Sequence, residues 1–433
     1  MKVRLGFLSP LIISAMLSGS ACAAGSVFGP DPPPPPWRPI VSAAPFCSPL
    51  PAPTIRVERI KSGDVDGLLW SASHSSSGTT LLLEDGVYQL APNQAIEIST
   101  PNLTIRSRSG NRDAVIIQGG YNNVTVNESG ATIADVTLRG PHFHNVQVRG
   151  ENGVVRTQIY NVHGIDAGQQ FIKVSTGDGR LGKFADDGLV ACSLFEYVTF
   201  SKGTDASPPT YTDGVDILAG KGWVVRDNVF RRIRSEGGPA GPAILVWKNA
   251  LNTVITRNLI VDCWRGITLG LNVPDAYSRD GPSAPYDHQN GLVENNVILA
   301  LREPADAAIE NNFAKDSKIF HNTVYYREGL RHAVNWSIEY RFTQTTATIV
   351  NNLTNMQILK RQPMPTQDAV MQGNITNAEA KWFVDVLAEN AHLIKGAGAI
   401  DRGAKDVVSP ADIDGTKRPV GQAPDAGADE FEG

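Results

Sequence analysis

Two short strand patterns alternate along this chain, and that alternation limits its architecture more than any other feature. One pattern runs apolar, polar, Asn, apolar: "VVRDNVF" (224–230), "VITRNLI" (254–260), "VENNVI" (293–298), "IFHNTV" (319–324) and "IVNNLT" (349–354). It aligns Asn228, Asn258, Asn296, Asn322 and Asn352. Between these lie "GVDIL" (214–218), "AILVW" (243–247), "GITLG" (266–270), "AIENN" (308–312) and "SIEYR" (337–341). The step from the first apolar residue of the second pattern to the next aligned Asn is 13 or 14 residues in four coils; from Ile267 to Asn296 it is 29. Upstream, Asn102, Asn123 and Asn145 recur at intervals of 21 and 22. Strands this brief cannot be helices, and connections this short leave no room for βαβ crossovers. A repeat of about two dozen residues built from short strands and turns predicts a parallel β-solenoid, each strand pairing with its equivalent one coil along. The recurrent Asn is then a structural device, its amide bonding backbone and the Asn above it.

Composition agrees. Apolar residues make up 41% of the 433 and charged residues 19%, which suits a core-burying chain, while 41 Gly and 28 Pro supply many turns. The start reads as a secretory signal over 1–23: Lys2 and Arg4, then "LGFLSPLIISAML", then Ala21-Cys22-Ala23 as an A-x-A cleavage site. A lipid anchor on Cys22 is the competing reading, with Gly19 where such signals usually carry Leu. No later segment qualifies as a transmembrane span. Residues 24–53 form a Pro-rich linker, and 54–433 a single elongated domain with an N-terminal cap over 54–90 and a C-terminal cap over 376–433. In the first cap, Ser62 or Asp64 would start a short helix that packs Leu68, Leu69 and Trp70 over the first coil. Removing Lys2 and Arg4 takes the net charge from −5 to −7, which argues against a nucleic-acid partner. Cys192 and Cys263 fall in apolar strands and read as buried core thiols.

On "LLLEDGVYQL", the "RDNVF"/"TRNLI"/"HNTV" ladder and the ending "AIDRGA…DIDGTKRPVGQAPDAGADEFE", the chain resembles right-handed parallel β-helix proteins of the pectate-lyase-like superfamily over roughly 54–433. The fold implied is an all-β, single-stranded right-handed parallel β-helix, secreted or periplasmic and monomeric. The fold hosts lyases, hydrolases and non-catalytic adhesins, so function rests on the site. The stretch "AILVWKNALNTVITRNLIVDCWRGITLG" is similar to the region of alginate and chondroitin lyases that carries a catalytic Lys and, one coil later, a catalytic Arg. Lys248 matches the first; Gly270 stands at the second, and "ILVW" stands where those enzymes carry calcium ligands. Arg265 or a loop would have to substitute.

Strand alternation sorts the side chains. If the aligned Ile or Val points inward, Lys173, Asp216, Leu245, Thr268, Glu310 and Glu339 form one outward column, and Ser175, Leu218, Trp247, Gly270, Asn312 and Arg341 a second. Trp247 offers a platform for a sugar ring or packs under a loop. The insertion after Gly270 would bring Tyr277, Arg279 and His288 to this surface, and an earlier one Tyr211. Glu310 and Glu339, on adjacent rungs, would hold a raised-pKa acid or a cation such as Ca2+, unless Arg341 neutralises Glu339. Asp213 reads as a turn cap.

Three functions remain open on this pattern. β-Elimination of a uronate polysaccharide would draw its base and cation from Lys248, Lys173, His288, Arg265 and Arg279. Hydrolysis would need two carboxylates from Asp216, Glu310 and Glu339. The third is a non-catalytic glycan-binding or surface-structural protein.

Overall fold

Successive segments of about two dozen residues wind into coils, each contributing three short strands to three parallel sheets. The computed structural model describes residues 46–53, 55–177 and 182–433, so the signal-like start and most of the Pro-rich stretch lie outside the described residues. One coil shows the pattern: Val224–Arg226 joins the first sheet, Val229–Arg231 the second and Pro242–Trp247 the third. Among the described residues the first sheet has 12 strands, and the second and third have 10 each. Every pairing in them is parallel, because a strand's partner is its own equivalent in the next coil. The fold is a right-handed parallel β-helix, with the handedness expected of strand–crossover–strand connections.

Register places like on like. In the third sheet Val215, Ile244, Ile267, Ile309 and Ile338 stack in one inward column, all fully buried. Burying each such side chain stabilises the tube by about 2 kcal/mol.

The corner between the first and second sheets is made by two residues. The first takes a left-handed conformation, as at Asp227 (φ 57°), Arg257 (52°), Asn295 (54°), His321 (50°) and Asn351 (58°). The second is the recurrent Asn. Asn258 Nδ2 donates to Asn296 Oδ1 at 2.9 Å and to the carbonyls of Val225 and Thr256, while its Oδ1 accepts from both the side chain and the backbone of Asn228. The chain of amides runs Asn228, Asn258, Asn296, Asn322, Asn352, Asn374 with steps of 2.9–3.0 Å, and Ser193 N–H meets its open end. The upstream asparagines do not belong to it. Asn123 and Asn145 stack on each other at the turn into the third sheet, and Asn102 sits in a turn into the first. Sequence spacing had merged two different corners.

At the N-terminal end, helix α1 (Val65–His74) is capped by Asp64, whose carboxylate accepts the Gly67 N–H at 2.9 Å. Leu68 and Ala72 enter the core, whereas Trp70 is 61% exposed and stacks on His74 instead of covering the first coil. Residues 46–53 are not a free spacer but a strap across the first sheet. Cys47 is disulfide-bonded to Cys192, Tyr160 donates to Ser48 O, Arg106 to Pro51 O and Arg226 to Phe46 O, with Arg257 over the Phe46 ring. Cys192 is thus a crosslink at a left-handed corner, and among the described residues only Cys263 is a buried thiol, its pKa pushed up to about 12 by burial.

The C-terminal segment lies along the outer face of the second sheet. Leu194, Val229, Leu259, Val261, Val297 and Leu299 pack there against Phe383, Val386, Leu393 and Ile413, forming a second apolar core. The last strand of the first sheet, Val370–Gln372, keeps Val370 and Met371 exposed. The segment therefore closes a side of the tube rather than serving simply as an end plug.

Asn258→Ala removes the amide that joins two coils and leaves buried donors and acceptors unpaired. Chemical denaturation should show a loss of about 2–4 kcal/mol. Asn152→Ala, whose amide bonds Asn127 O at an exposed turn, should cost less than about 1 kcal/mol.

Candidate functional site

The third sheet holds the outward columns of charge. Its strands Ile172–Ser175, Val215–Leu218, Pro242–Trp247, Arg265–Leu269, Ile309–Asn312 and Trp336–Arg341 pair so that Lys173, Asp216, Leu245, Thr268, Glu310 and Glu339 align rung by rung. Leu218 and Trp247 pair in the second column, as do Asn312 and Arg341.

At one end of this face Lys173 Nζ contacts Asp216 Oδ2 at 2.5 Å, and Trp247 Nε1 donates to Asp216 Oδ1 at 2.8 Å. Both oxygens of Asp216, which is only 2% exposed, are therefore engaged. Burial works against the Lys173 charge, but Asp216 and then Tyr211 outweigh it and hold the amine above its ordinary pKa. Lys173 is a fixed cation, unsuited to taking a proton. Lys248 takes a left-handed conformation (φ 63°), pairs with Asp275 at 2.5 Å and sits 4.4 Å from the Trp247 ring centroid. One face of that indole is thus shared with an ammonium. Tyr211 is exposed, with its ring centroid 5.9 Å from Lys173 Nζ.

Asp213 sits behind this group and does more than cap a turn. It occupies the corner position held by Asn122, His144 and Gln170 in earlier coils, and the Gln170 amide donates to it at 3.0 Å. Burial, then the neighbouring Asp216, push its carboxyl up to about 7 against the pull of Gln170 and Lys173. The signal was an acid at a corner column whose earlier members, Asn122, His144 and Gln170, are uncharged polar residues or a histidine.

At the other end Arg265 donates to Asp306 at 2.7 and 2.9 Å and approaches Glu310 at 3.6 Å. Glu310 also accepts from Thr268 Oγ1 at 2.8 Å. Burial raises the Glu310 pKa; Arg265 pulls it back, while Glu339 and Asp306 raise it further. Glu339 is neutralised by Arg361, not by Arg341: Arg361 Nη1 reaches both its oxygens at 2.9 and 2.8 Å, and Trp336 Nε1 donates at 2.7 Å. Arg341 lies over the Phe342 ring with no ion pair among the described residues. Its buried Nε and the buried Oδ1 of Asn312, one rung away, both lack hydrogen-bond partners. Three guanidinia (Arg265, Arg341, Arg361) thus face three carboxylates (Asp306, Glu310, Glu339), and protonation of Glu310 leaves one net positive charge beside Arg341.

The remaining expected residues do not join these groups. His288 is fully buried between Ala250 and Ala314, bonds Thr253 at 3.2 Å, and has its pKa lowered to about 3 by burial, so it is closed off from the surface. Arg279 is a clip that donates to Ala219 O, pairs with Asp186 and packs on Phe184. Tyr277 is exposed on the same loop. This loop is anchored by Asp287, which accepts the N–H groups of Lys248, Leu271 and Asn272. Gly270 has φ 69°, and a Cβ there would meet Asn312 O at 1.9 Å, so no Arg fits at that position. The residues also do not fit Ca2+, because Thr268, Trp336 and the arginines already take the oxygens of Glu310 and Glu339. Arg361, Asp306, Trp336 and Asp275 were not singled out from sequence; they come from a later coil, a turn, a strand start and a loop.

No family model and no curated protein matches this chain. Among solved structures, pectate lyase Pel9A superposes with a TM-score of 0.56 at 12% identity, over 87% of this chain and 97% of that one. An alginate lyase from Paenibacillus sp. str. FPU-7 matches at TM-score 0.40 and 15% identity (63% of this chain, 94% of that one). The polygalacturonase from Erwinia carotovora ssp. carotovora matches at 0.35 and 10% (76% and 96%). At such identities the likeness shows the shared fold.

Asp213 binds its proton more tightly when folded than when unfolded. Its contribution to stability is therefore greatest below about pH 4 and declines as pH rises toward 7, by at most about 4 kcal/mol. Asp213→Asn keeps the Gln170 acceptor and should flatten the pH dependence of the urea midpoint across that window.

Proposed function

We propose that this protein engages a uronate-containing polysaccharide along the outer face of the third sheet and cleaves it by β-elimination. The observation that supports this reading is Arg341, a half-buried guanidinium with no ion pair among the described residues, placed beside Glu310, whose carboxyl pKa is raised by burial. A uronate carboxylate would pair with the accessible part of the Arg341 guanidinium. Neutralising that carboxylate acidifies the adjacent C–H, and Glu310 as carboxylate would take that proton. The C–C double bond would form as the bond to the glycosidic oxygen breaks, and the proton would pass to the departing oxygen. Asn312 would orient the same sugar. Trp247, Tyr211 and Lys248 would hold the chain further along, three rungs or roughly 14 Å from Arg341. Hydrolysis by the Glu310–Glu339 pair is less well supported, since the Glu339 side chain is fully buried under Arg361 and Trp336.

A second reading, glycan binding without turnover, is favoured by one feature: Lys173 and Lys248 are both ion-paired, and Glu310 is only 5% exposed. Under either reading the protein works outside the cytoplasm. The Cys47–Cys192 disulfide supports that location, since such bonds persist in oxidising compartments. No helix among the described residues is long and apolar enough to cross a membrane.

Incubation with a panel of polyuronates, followed by the ultraviolet absorbance of unsaturated ends, tests the proposal. Arg341→Ala should lower kcat/KM by about 10²–10³, and Glu310→Gln should lower kcat with little change in KM. Unchanged turnover in Arg341→Ala rejects the assignment. Binding that needs Arg341 but yields no product selects the second reading.

A further inference from the structure

The C-terminal layer carries a cluster that the sugar-facing wall does not use. His392 lies on the strand Asn390–Leu393, which pairs antiparallel with Phe383–Asp385. Asp414 lies on the loop after Asp412, and Asp429 follows near the end of the chain. One donor atom from each of His392, Asp414 and Asp429 lies within 4.8 Å of the others. All three line a cavity of ≈ 380 Å³ that also includes Asp412 and Thr416. Asp412 is occupied as a turn anchor, accepting the N–H groups of Asp414, Thr416 and Glu430.

Hydrogen bonding around His392 is the first pointer to a ligand. Asn390 Oδ1 accepts the His392 backbone N–H at 3.2 Å, which identifies that atom as the oxygen, and it lies 2.7 Å from His392 Nδ1. Nδ1 therefore carries a proton. In the neutral ring Nε2 is then a bare lone pair, yet it faces Asp414 Oδ2 at 2.6 Å. Two lone pairs do not approach so closely without a positive species between or on them. Asp429 is the second pointer. It is 8% exposed, its Oδ2 accepts the Leu393 N–H at 2.7 Å, and its other oxygen accepts no hydrogen bond from any described residue.

We propose that His392 Nε2, Asp414 and Asp429 bind one first-row divalent cation, Zn2+ in the first instance. One imidazole with two carboxylates is a donor set such ions take, whereas Ca2+ and Mg2+ favour oxygen alone. A tetrahedral ion spaces its donors about 3.3 Å apart, so Asp414 would shift by less than about 1 Å. Because the ligands come from three separate segments, the ion would clasp the layer that covers the second sheet. It is a structural site, independent of any activity on sugars.

The test uses the full chain, stripped with a chelator and then titrated with Zn2+ by calorimetry and with Co2+ by visible absorption. One equivalent per chain, a tetrahedral Co2+ spectrum and a raised melting temperature are expected. His392→Ala should abolish the spectrum, and Asp414→Asn should weaken Zn2+ binding by at least about tenfold. Asp205→Asn, which removes the exposed carboxylate paired with His142 elsewhere, should leave both unchanged. If His392→Ala does not fold, Asp414→Asn and the spectrum of the unaltered chain still decide. A featureless Co2+ spectrum, or Zn2+ uptake unaffected by Asp414→Asn, overturns the site and leaves an imidazolium–carboxylate ion pair.

Discussion

Every coil depends on its neighbours for its backbone hydrogen bonds, and the buried amide chain from Asn228 to Asn374 makes that dependence specific. A parallel strand cannot satisfy its N–H and C=O groups within its own coil. It needs the next coil in register, and a slip of one residue would turn its apolar side chains outward. The amides act at the corner where slippage would begin. Asn258, Asn296, Asn322 and Asn352 each bond the coil ahead and carbonyls of their own and the preceding coil, so register is fixed by directional bonds as well as by the Ile and Val columns.

That registry produces the chemistry of the third sheet. Residues more than 40 positions apart in the chain, such as Lys173 and Asp216 or Arg265 and Asp306, meet because coils stack without offset. Charges so close and so shielded from water cannot remain unbalanced. Most are paired with donors of suitable geometry, and the exceptions stand out: Asp213 and Glu310 hold protons more tightly than free carboxyls, and Arg341 has no carboxylate partner among the described residues. The mismatch lies on the wall that the proposed function assigns to the polysaccharide.

Much of this could be read from the chain. Period-two alternation and the repeated Asn fixed which residues share a column, and the columns through Glu339 and Arg341 follow from counting. Pairing within a column could not be counted. Arg361 displaces Arg341 as the partner of Glu339 because reach and rotamer decide between two cations a rung apart. The buried place of His288 was hidden by its loop-like surroundings, although its strand slots between Ala250 and Ala314. Runs such as "NLIVDC" and "NVILA", apolar on both faces, did signal a sheet covered on its outer side. What covers it was not legible, because the C-terminal layer has no repeat of its own. Nor does any local pattern join Cys47 to Cys192 across 145 residues.

The strap crosses one side of the tube and the C-terminal layer occupies another. Among the described residues neither of these covers the third wall, which runs as a track parallel to the stacking axis. A polymer lying on it is measured in coils, so gain or loss of a whole coil would lengthen or shorten the gripped stretch while each rung kept its own contacts. Such a scaffold can diverge in reach and in chemistry separately.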